Sequence, residues 1–196
     1  MTFLTQALTG LGQQEEALAH CDKVLQIHPQ DVKTWFYKAN ALGALGRYQE
    51  ALVCFQKAQK LGDDNAVRGI EQCRRLLKSD AEKLFQHGSD FQQAGNNDEA
   101  IRCYDAGLAI DPSNTNAWIN KGAALLTLKQ SREAIVCFDR AIALSPGDSG
   151  AWNNKGYALF FIGEYSAALP VLEEAQRLGA TRCASMIAVC RDRLGR

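Results

Sequence analysis

The segment TNAWINKGAALLTLKQSREAIVCFDRAIALSP, residues 115–146, spaces small and large apolar residues in a way that strongly restricts how it can fold. Two helices pack closely only where small residues occupy the crossing points and large side chains fill the spaces beside them. The predicted crossing points are Gly122, Ala134 and Ala141. The predicted fillers are Trp118, Leu125 and Phe138. The segment therefore predicts two short antiparallel helices packed against each other.

The same pattern recurs when the frame is moved by 34 residues in either direction. Downstream it finds Trp152, Gly156, Leu159, Tyr165, Ala168, Leu172 and Ala175. Upstream it finds Leu84, Gly88, Phe91, Gly95, Ala100, Tyr104 and Pro112. This register resembles the tetratricopeptide repeat, a helix–turn–helix unit. The resemblance implies an all-α, right-handed solenoid, in which each repeat buries its apolar face against its neighbours.

The repeat frame divides the chain into two predicted blocks. The first block, 1–79, holds a partial repeat (1–31), a full repeat (32–65) and an inserted solitary helix (66–78). The second block, 80–196, holds three repeats (81–114, 115–148 and 149–182) and a C-terminal capping helix (183–194). Because Met1 falls at position 4 of a repeat, the chain is either a domain excised from a longer array, which we favour, or one whose natural start is a degenerate repeat.

The insert and the C-terminal segment resemble each other at an offset of 117 residues, which matches Ile70 with Ile187 and Cys73 with Cys190. This correspondence predicts that each block ends in a single amphipathic helix that covers its last repeat. Ser79 and Glu82 fit a capping box. We therefore predict that a new helix starts after Ser79, with a bend and a discontinuity of the superhelix at that point.

A proline inside the second helix of the last repeat, Pro170, predicts a local irregularity near Val171 but no end to the helix, since Leu172 and Ala175 keep the register.

Charge and cysteine content point to no special class of ligand. Lys plus Arg and Asp plus Glu number 22 each, so neither nucleic acid nor a membrane surface is indicated as a partner. The N-terminus has neither a basic region nor a long apolar run, and we expect no membrane span and a cytoplasmic protein. The seven cysteines include no CxxC, and the histidines are not spaced as paired ligands. We expect reduced, buried thiols, no metal and no cofactor.

Catalytic motifs are likewise missing from the sequence: it has no glycine-rich phosphate loop, no G-x-S-x-G and no H-E-x-x-H. The acidic pair Asp63–Asp64 is explained by a turn and a helix cap. We therefore predict that the chain is not an enzyme.

A binding function follows from the resemblance, which implies that positions 2, 5, 6, 9, 12 and 13 of the first helices face a ligand in a concave groove. The predicted peptide-binding residues are Phe36, Tyr37, Asn40, Phe85, Gln86, Asn120 and Asn154. Asn120 and Asn154 occupy position 6 in successive repeats, where their amides could hydrogen-bond a peptide backbone, as in the asparagine ladders of O-GlcNAc transferases. They could equally be residues common at this position that solvate the helix.

The carboxylate clamp of chaperone co-factors is a poorer match. That clamp uses Lys at position 5, Asn at position 9, Asn at position 6, and then Lys at position 2 and Arg at position 6. Asn40 matches position 9, and Asn120 and Asn154 match position 6. Position 5, however, holds Phe36, Phe85, Ile119 and Asn153, and no Arg occupies position 6. Without cations at these positions a bound carboxylate would not recover its cost of desolvation. The aromatic residues instead suggest apolar anchor sites for an amphipathic helix or a hydrophobic peptide.

The sequence thus predicts a protein-interaction adaptor or scaffold that binds a peptide segment or a helix in its groove. The alternative is a self-association or regulatory domain of a larger enzyme, and a homo-oligomer stays open as a partner.

Overall fold

The computed structural model describes residue 8 and residues 12–195, and within these residues it contains ten helices and no strand. The helices are α1 (Gln14–Ile27), α2 (Val32–Ala44), α3 (Tyr48–Lys60), α4 (Ala66–Gln93), α5 (Asn97–Ile110), α6 (Thr115–Thr127), α7 (Ser131–Leu144), α8 (Ser149–Phe161), α9 (Tyr165–Arg177) and α10 (Ala184–Arg193). The all-α prediction is confirmed. The predicted first helix of the partial repeat falls largely outside the described residues.

Contacts between residues divide the chain into two compact units, Met1–Ser79 (unit 1) and Asp80–Arg196 (unit 2). In unit 1 the core forms where α1, α2, α3 and the start of α4 meet, and its buried residues include Phe55 and Leu42. In unit 2 the buried residues follow the repeats in successive clusters, and Tyr104, Phe138 and Leu172 are fully buried. Each unit therefore has its own core, as expected when repeats stabilise one another mainly through neighbours.

Three first helices begin where the repeat frame places them, at Val32, Thr115 and Ser149. Each follows an Asp or Asn whose side-chain oxygen accepts hydrogen bonds from backbone N–H groups of the first turn. Asp31 accepts from Lys33 and Thr34, Asn114 from Ala117, and Asp148 from Gly150 and Ala151. These caps satisfy N–H groups that have no partner within the helix, which fixes the start of the helix.

The predicted helix crossings are confirmed in the repeat formed by α6 and α7. Gly122 is buried against Phe138, so closely that an added Cβ would lie 2.5 Å from the ring carbon Cε1. Ala134 and Ala141 are fully buried at the other crossing points. Leu125 and Trp118 pack into the same cluster as Phe138.

Two side-chain contacts recur at the junction between one repeat and the next. The indole N–H donates to a proline carbonyl oxygen in Trp35–Pro29, Trp118–Pro112 and Trp152–Pro146, at 2.8, 3.0 and 2.9 Å. Lysine–aspartate ion pairs join Lys38 to Asp22, Lys121 to Asp105 and Lys155 to Asp139. The repeated contacts show that the 34-residue register fixes how neighbouring repeats pack within each unit.

The prediction that one helix ends before Ser79 and another starts after it is wrong, because a single helix, α4, spans this region. It runs without interruption from Ala66 to Gln93, so Ser79 lies inside a helix and does not cap one. The residues around Ser79 include neither Gly nor Pro, and Asp80 forms an ion pair with Lys83 one turn later at 3.2 Å. With no breaker in the chain, continuing the helical hydrogen bonds costs less free energy than ending and renucleating a helix.

Helix α9 continues through Pro170 to Arg177, which confirms that the proline does not end the helix, while the irregularity near Val171 stays a prediction. The predicted cover of the last repeat is also confirmed. Helix α10 covers the last repeat, since Ile187 and Cys190 are buried in the cluster that contains Leu172, and Arg191 forms an ion pair with Glu173 on α9 at 2.7 Å.

Candidate functional site

Three of the predicted binding residues lie together on α2 in unit 1. The ring of Phe36 meets Phe55 edge-to-face, with centroids 5.6 Å apart, and Tyr37 in the same manner at 6.0 Å. Asn40, one turn further along, is exposed. All three line a cleft of about 500 Å³ between α2 and the first turns of α4. This is where the structure brings the sequence-predicted residues of unit 1 together.

The opposite wall of the cleft comes from α4, which the repeat register did not include. Gly69 allows this approach, because a Cβ at that position would lie 2.5 Å from the ring carbon Cζ of Phe55. The close contact makes the Phe55 ring part of the cleft lining. Two cations that the sequence analysis did not select, Lys33 on α2 and Arg68 on α4, also line the cleft.

In unit 2 the predicted Asn120 already has a structural partner, the hydroxyl of Tyr104. Burial raises the pKa of Tyr104, and the hydrogen bond with Asn120 opposes that rise. The same hydroxyl donates to Oε1 of Gln92 at 2.9 Å. Asn120 therefore belongs to a hydrogen-bond network that satisfies a buried phenol, which supports the structural alternative for this residue.

Phe85 and Gln86, at the end of α4 that belongs to unit 2, also have partners within their own repeat. Phe85 is half-buried and packs over Gly107, where an added Cβ would lie 2.4 Å from the ring carbon Cε1. Gln86 is exposed, and its amide donates to Asp90 at 2.8 Å. Phe85 thus contributes mainly to packing, while Gln86 stays accessible to a ligand.

Helix α8 presents a polar and aromatic surface around the predicted Asn154, which is half-buried. The side-chain oxygen of its neighbour Asn153 is buried and has no hydrogen-bond partner among the described residues. One turn further on, Tyr157 and Phe161 stack at 6.0 Å and are 43% and 61% exposed. Tyr157 and Phe161 occupy positions 9 and 13, which were predicted to face the groove, but they were not among the predicted binding residues.

The groove positions of unit 2 carry no lysine and no arginine in any of the three repeats. Lys121 and Lys155, which neighbour the two asparagines in sequence, form ion pairs with Asp105 and Asp139 at 2.5 and 2.6 Å. This surface therefore offers amides and aromatic rings but no cation for a carboxylate. Amide groups of this kind can pair with a peptide backbone.

Burial makes four of the thiols poor nucleophiles. Burial raises the pKa of Cys54, Cys73, Cys137 and Cys190, which disfavours the reactive thiolate. In the described part of the chain, no cluster of His, Cys, Asp and Glu is arranged to hold a metal ion. None of the described helices has the length and apolar character needed to span a bilayer.

Family models described as tetratricopeptide repeat match residues 32–65, 85–148 and 137–169. Among curated proteins, the DnaJ homolog subfamily C member 7 homolog of Schizosaccharomyces pombe is 30% identical over 121 residues. That match covers 59% of this chain but only 24% of the yeast protein. An uncharacterized protein of Methanocaldococcus jannaschii is 46% identical over 44 residues, covering 22% of this chain and 51% of that protein.

Solved structures with a similar fold include both tetratricopeptide domains of Spaghetti (RPAP3), each described as bound to the HSP90 peptide SRMEEVD. The first domain is 25% identical with a TM-score of 0.58, and the match covers 61% of this chain and 96% of that domain. The second is 30% identical with a TM-score of 0.50, covering 52% of this chain and 94% of that domain.

Proposed function

The chain belongs to the tetratricopeptide repeat family, and we propose that it is an adaptor or scaffold that binds a peptide segment or a helix of a partner protein. One observation carries this proposal: Phe36, Tyr37 and Asn40 line one cleft, which joins an aromatic wall to polar side chains. Such a combination suits a peptide, since the rings can hold an apolar side chain while the amides pair with the backbone.

The similarity to two domains described with a bound HSP90 peptide supports peptide binding as the kind of activity. It does not extend to the same peptide in unit 2, because a peptide that ends in EEVD brings several carboxylates to a surface without groove cations. For unit 2 we therefore propose an uncharged segment, with its backbone on Asn154 and an apolar side chain on Tyr157 and Phe161. The proposal assigns the chain no catalytic role and places it in the cytoplasm.

Capture of partners from a lysate of the source cell tests the proposal. The wild type is compared with Asn40→Ala in unit 1 and with Asn154→Ala in unit 2. Gln176→Ala, an exposed amide on the second helix α9, is the matched control. We expect a partner that is kept by the control and lost by at least one groove variant with an unchanged circular dichroism spectrum. Partners that all variants retain would place recognition on another face and contradict the proposal.

A further inference from the structure

Phe91 on α4 is far more exposed than the residues at the same position of the other full repeats. Counted from the first residue of each repeat, position 11 holds Leu42, Phe91, Leu125 and Leu159. The three leucines are 2%, 5% and 6% exposed, whereas Phe91 is 38% exposed. An aromatic ring with this exposure, in place of a buried leucine, leaves one face of a first helix in unit 2 uncovered.

In the other repeats of unit 2 this face is covered by the second helix of the preceding repeat, and the contact has two parts. Ile101 packs into the same buried cluster as Leu125, and Ile135 into the same cluster as Leu159. Four residues further along each second helix, an aspartate forms an ion pair with the lysine at position 7 of the next first helix. These pairs are Asp105–Lys121 and Asp139–Lys155. A covering helix therefore places an aliphatic residue on position 11 and a charged residue, one turn later, near position 7.

The uncovered face differs from the others in its charge. Position 7 is His87 and position 10 is Asp90, where the other full repeats have a lysine and a fully buried alanine. One oxygen of Asp90 accepts the amide N–H of Gln86 at 2.8 Å, but no cation among the described residues pairs with Asp90. His87, Asp90 and Phe91 line a depression of about 450 Å³, which we call the Phe91 seat. The Phe91 seat thus suits a helix that presents an aliphatic residue and a cation.

Helix α7 carries this combination on its exposed side. Val136 is 59% exposed, and Arg132 and Arg140 lie one turn before and one turn after it, both exposed. Neither arginine forms an ion pair with any described residue, whereas Arg102 and Arg177 of other second helices do. The three residues 132, 136 and 140, which we call the α7 strip, therefore complement the Phe91 seat in apolar character and in charge.

We propose that the Phe91 seat of one copy of this chain binds the α7 strip of a second copy, with Val136 against Phe91 and Arg140 beside Asp90. The orientation is that of the repeat contacts, in which the charged residue follows the aliphatic one by one turn. Both surfaces belong to unit 2, and neither includes a residue of the proposed peptide sites. Because the two surfaces differ, the contact is heterologous, and each pair of copies keeps a free seat and a free strip for further copies.

Sedimentation velocity of the purified full-length chain over a range of concentrations tests the proposal. We expect the wild-type mass to rise with concentration above the 21.5 kDa of one chain. Phe91→Gln and Val136→Gln should each raise the concentration needed for association about tenfold or more. Val53→Gln is the matched control, since Val53 occupies the position of Val136 in another repeat and is 63% exposed. The control should associate as the wild type does, and circular dichroism melting shows whether each variant is folded.

Mixing the two variants tests the head-to-tail arrangement. The Phe91→Gln chain keeps its α7 strip and the Val136→Gln chain keeps its Phe91 seat, so a mixture can form one intact contact and no more. We expect a 1:1 complex that does not grow further, at a concentration where each variant alone is a monomer.

Charge reversal tests the contact between Arg140 and Asp90. Asp90→Arg and Arg140→Asp should each weaken association, because each brings like charges together. A chain that carries both changes should associate more strongly than either single variant, since the pair is restored with its charges exchanged.

A wild type that stays at 21.5 kDa at every concentration would overturn the inference. The same holds for association that Phe91→Gln and Val136→Gln leave unchanged, an equal loss in Val53→Gln, or no recovery in the doubly reversed chain. A monomeric wild type whose Phe91→Gln variant loses a captured protein would assign the seat to a partner's helix and would also overturn it. None of these outcomes depends on Asn40 or Asn154, so the proposed adaptor function stands or fails separately.

Discussion

Replacing Gly122 by alanine tests the packing of a single helix crossing. A Cβ at this position would lie 2.5 Å from Cε1 and 2.8 Å from Cζ of Phe138, whereas carbon atoms in favourable contact are about 3.5–4.0 Å apart. Phe138 has no exposed surface, so its ring has no free space into which to move. Either the ring or helix α6 must therefore shift by about 1 Å to accept the methyl group.

The free energy of this change combines two opposing effects. Overpacking of a core costs about 1–3 kcal/mol, and the short distances here place the cost in the upper part of that range. Alanine is favoured over glycine in a helix interior by about 1 kcal/mol. The net expectation for Gly122→Ala is a loss of about 1–2 kcal/mol of unfolding free energy, measured by urea unfolding with far-UV circular dichroism as the signal.

Gly43→Ala is the matched control. Gly43 also lies inside a helix, α2, but a Cβ at that position would meet nothing within 4 Å. Only the helix preference acts there, so this variant should gain up to about 1 kcal/mol.

Making the same substitution in a Phe138→Ala protein tests whether the contact with the Phe138 ring causes the loss of stability. In a Phe138→Ala protein the ring is gone, and adding Gly122→Ala should cost at least about 1 kcal/mol less than in the wild type. A Gly122→Ala protein as stable as the wild type, or an equal cost in both backgrounds, would refute the reasoning.

Three further predictions concern stability. Lys129 has a φ of 63° in the turn between its two helices, at the repeat position that Gly46 occupies in another repeat. Because glycine adopts a positive φ without strain, Lys129→Gly should stabilise the chain by up to about 1 kcal/mol in the same urea assay. Asn153→Ile copies Ile119 of the preceding repeat and removes a buried oxygen that has no partner among the described residues. It should raise the free energy of unfolding by about 1 kcal/mol, and a loss of stability would mean that the oxygen is satisfied. Burial raises the pKa of Cys137 and three other thiols, so the folded chain keeps protons that the unfolded chain releases, and stability should fall as pH rises above about 8.5. A stability that is flat or rising over that range would contradict the thiol assignment.

Much of the fold could be predicted because its determinants are local and repeat along the chain. The helix starts at Val32, Thr115 and Ser149, the crossings at Gly122 and Ala134, and the cover provided by α10 all follow from residue spacing. Each of these features depends on side chains within one repeat or its immediate neighbour. The pattern of one repeat therefore predicts the structure of the others.

The end of the inserted helix could not be predicted in the same way. Ser79 and Glu82 have the spacing of a capping box, but such a pair caps a helix only where the chain leaves the helical conformation. Nothing in the residues around Ser79 forces it to do so, and α4 continues to Gln93.

The sequence by itself determined the all-α repeat fold, because small residues at the crossings and a 34-residue register permit few other arrangements. It also determined which first-helix positions to examine for a ligand. Only the tertiary structure showed that Asn120 serves the buried Tyr104 and that Phe85 packs over Gly107. Only the tertiary structure placed Arg68 across a cleft from Lys33, because that meeting depends on Gly69 letting α4 approach Phe55 from outside the repeat register.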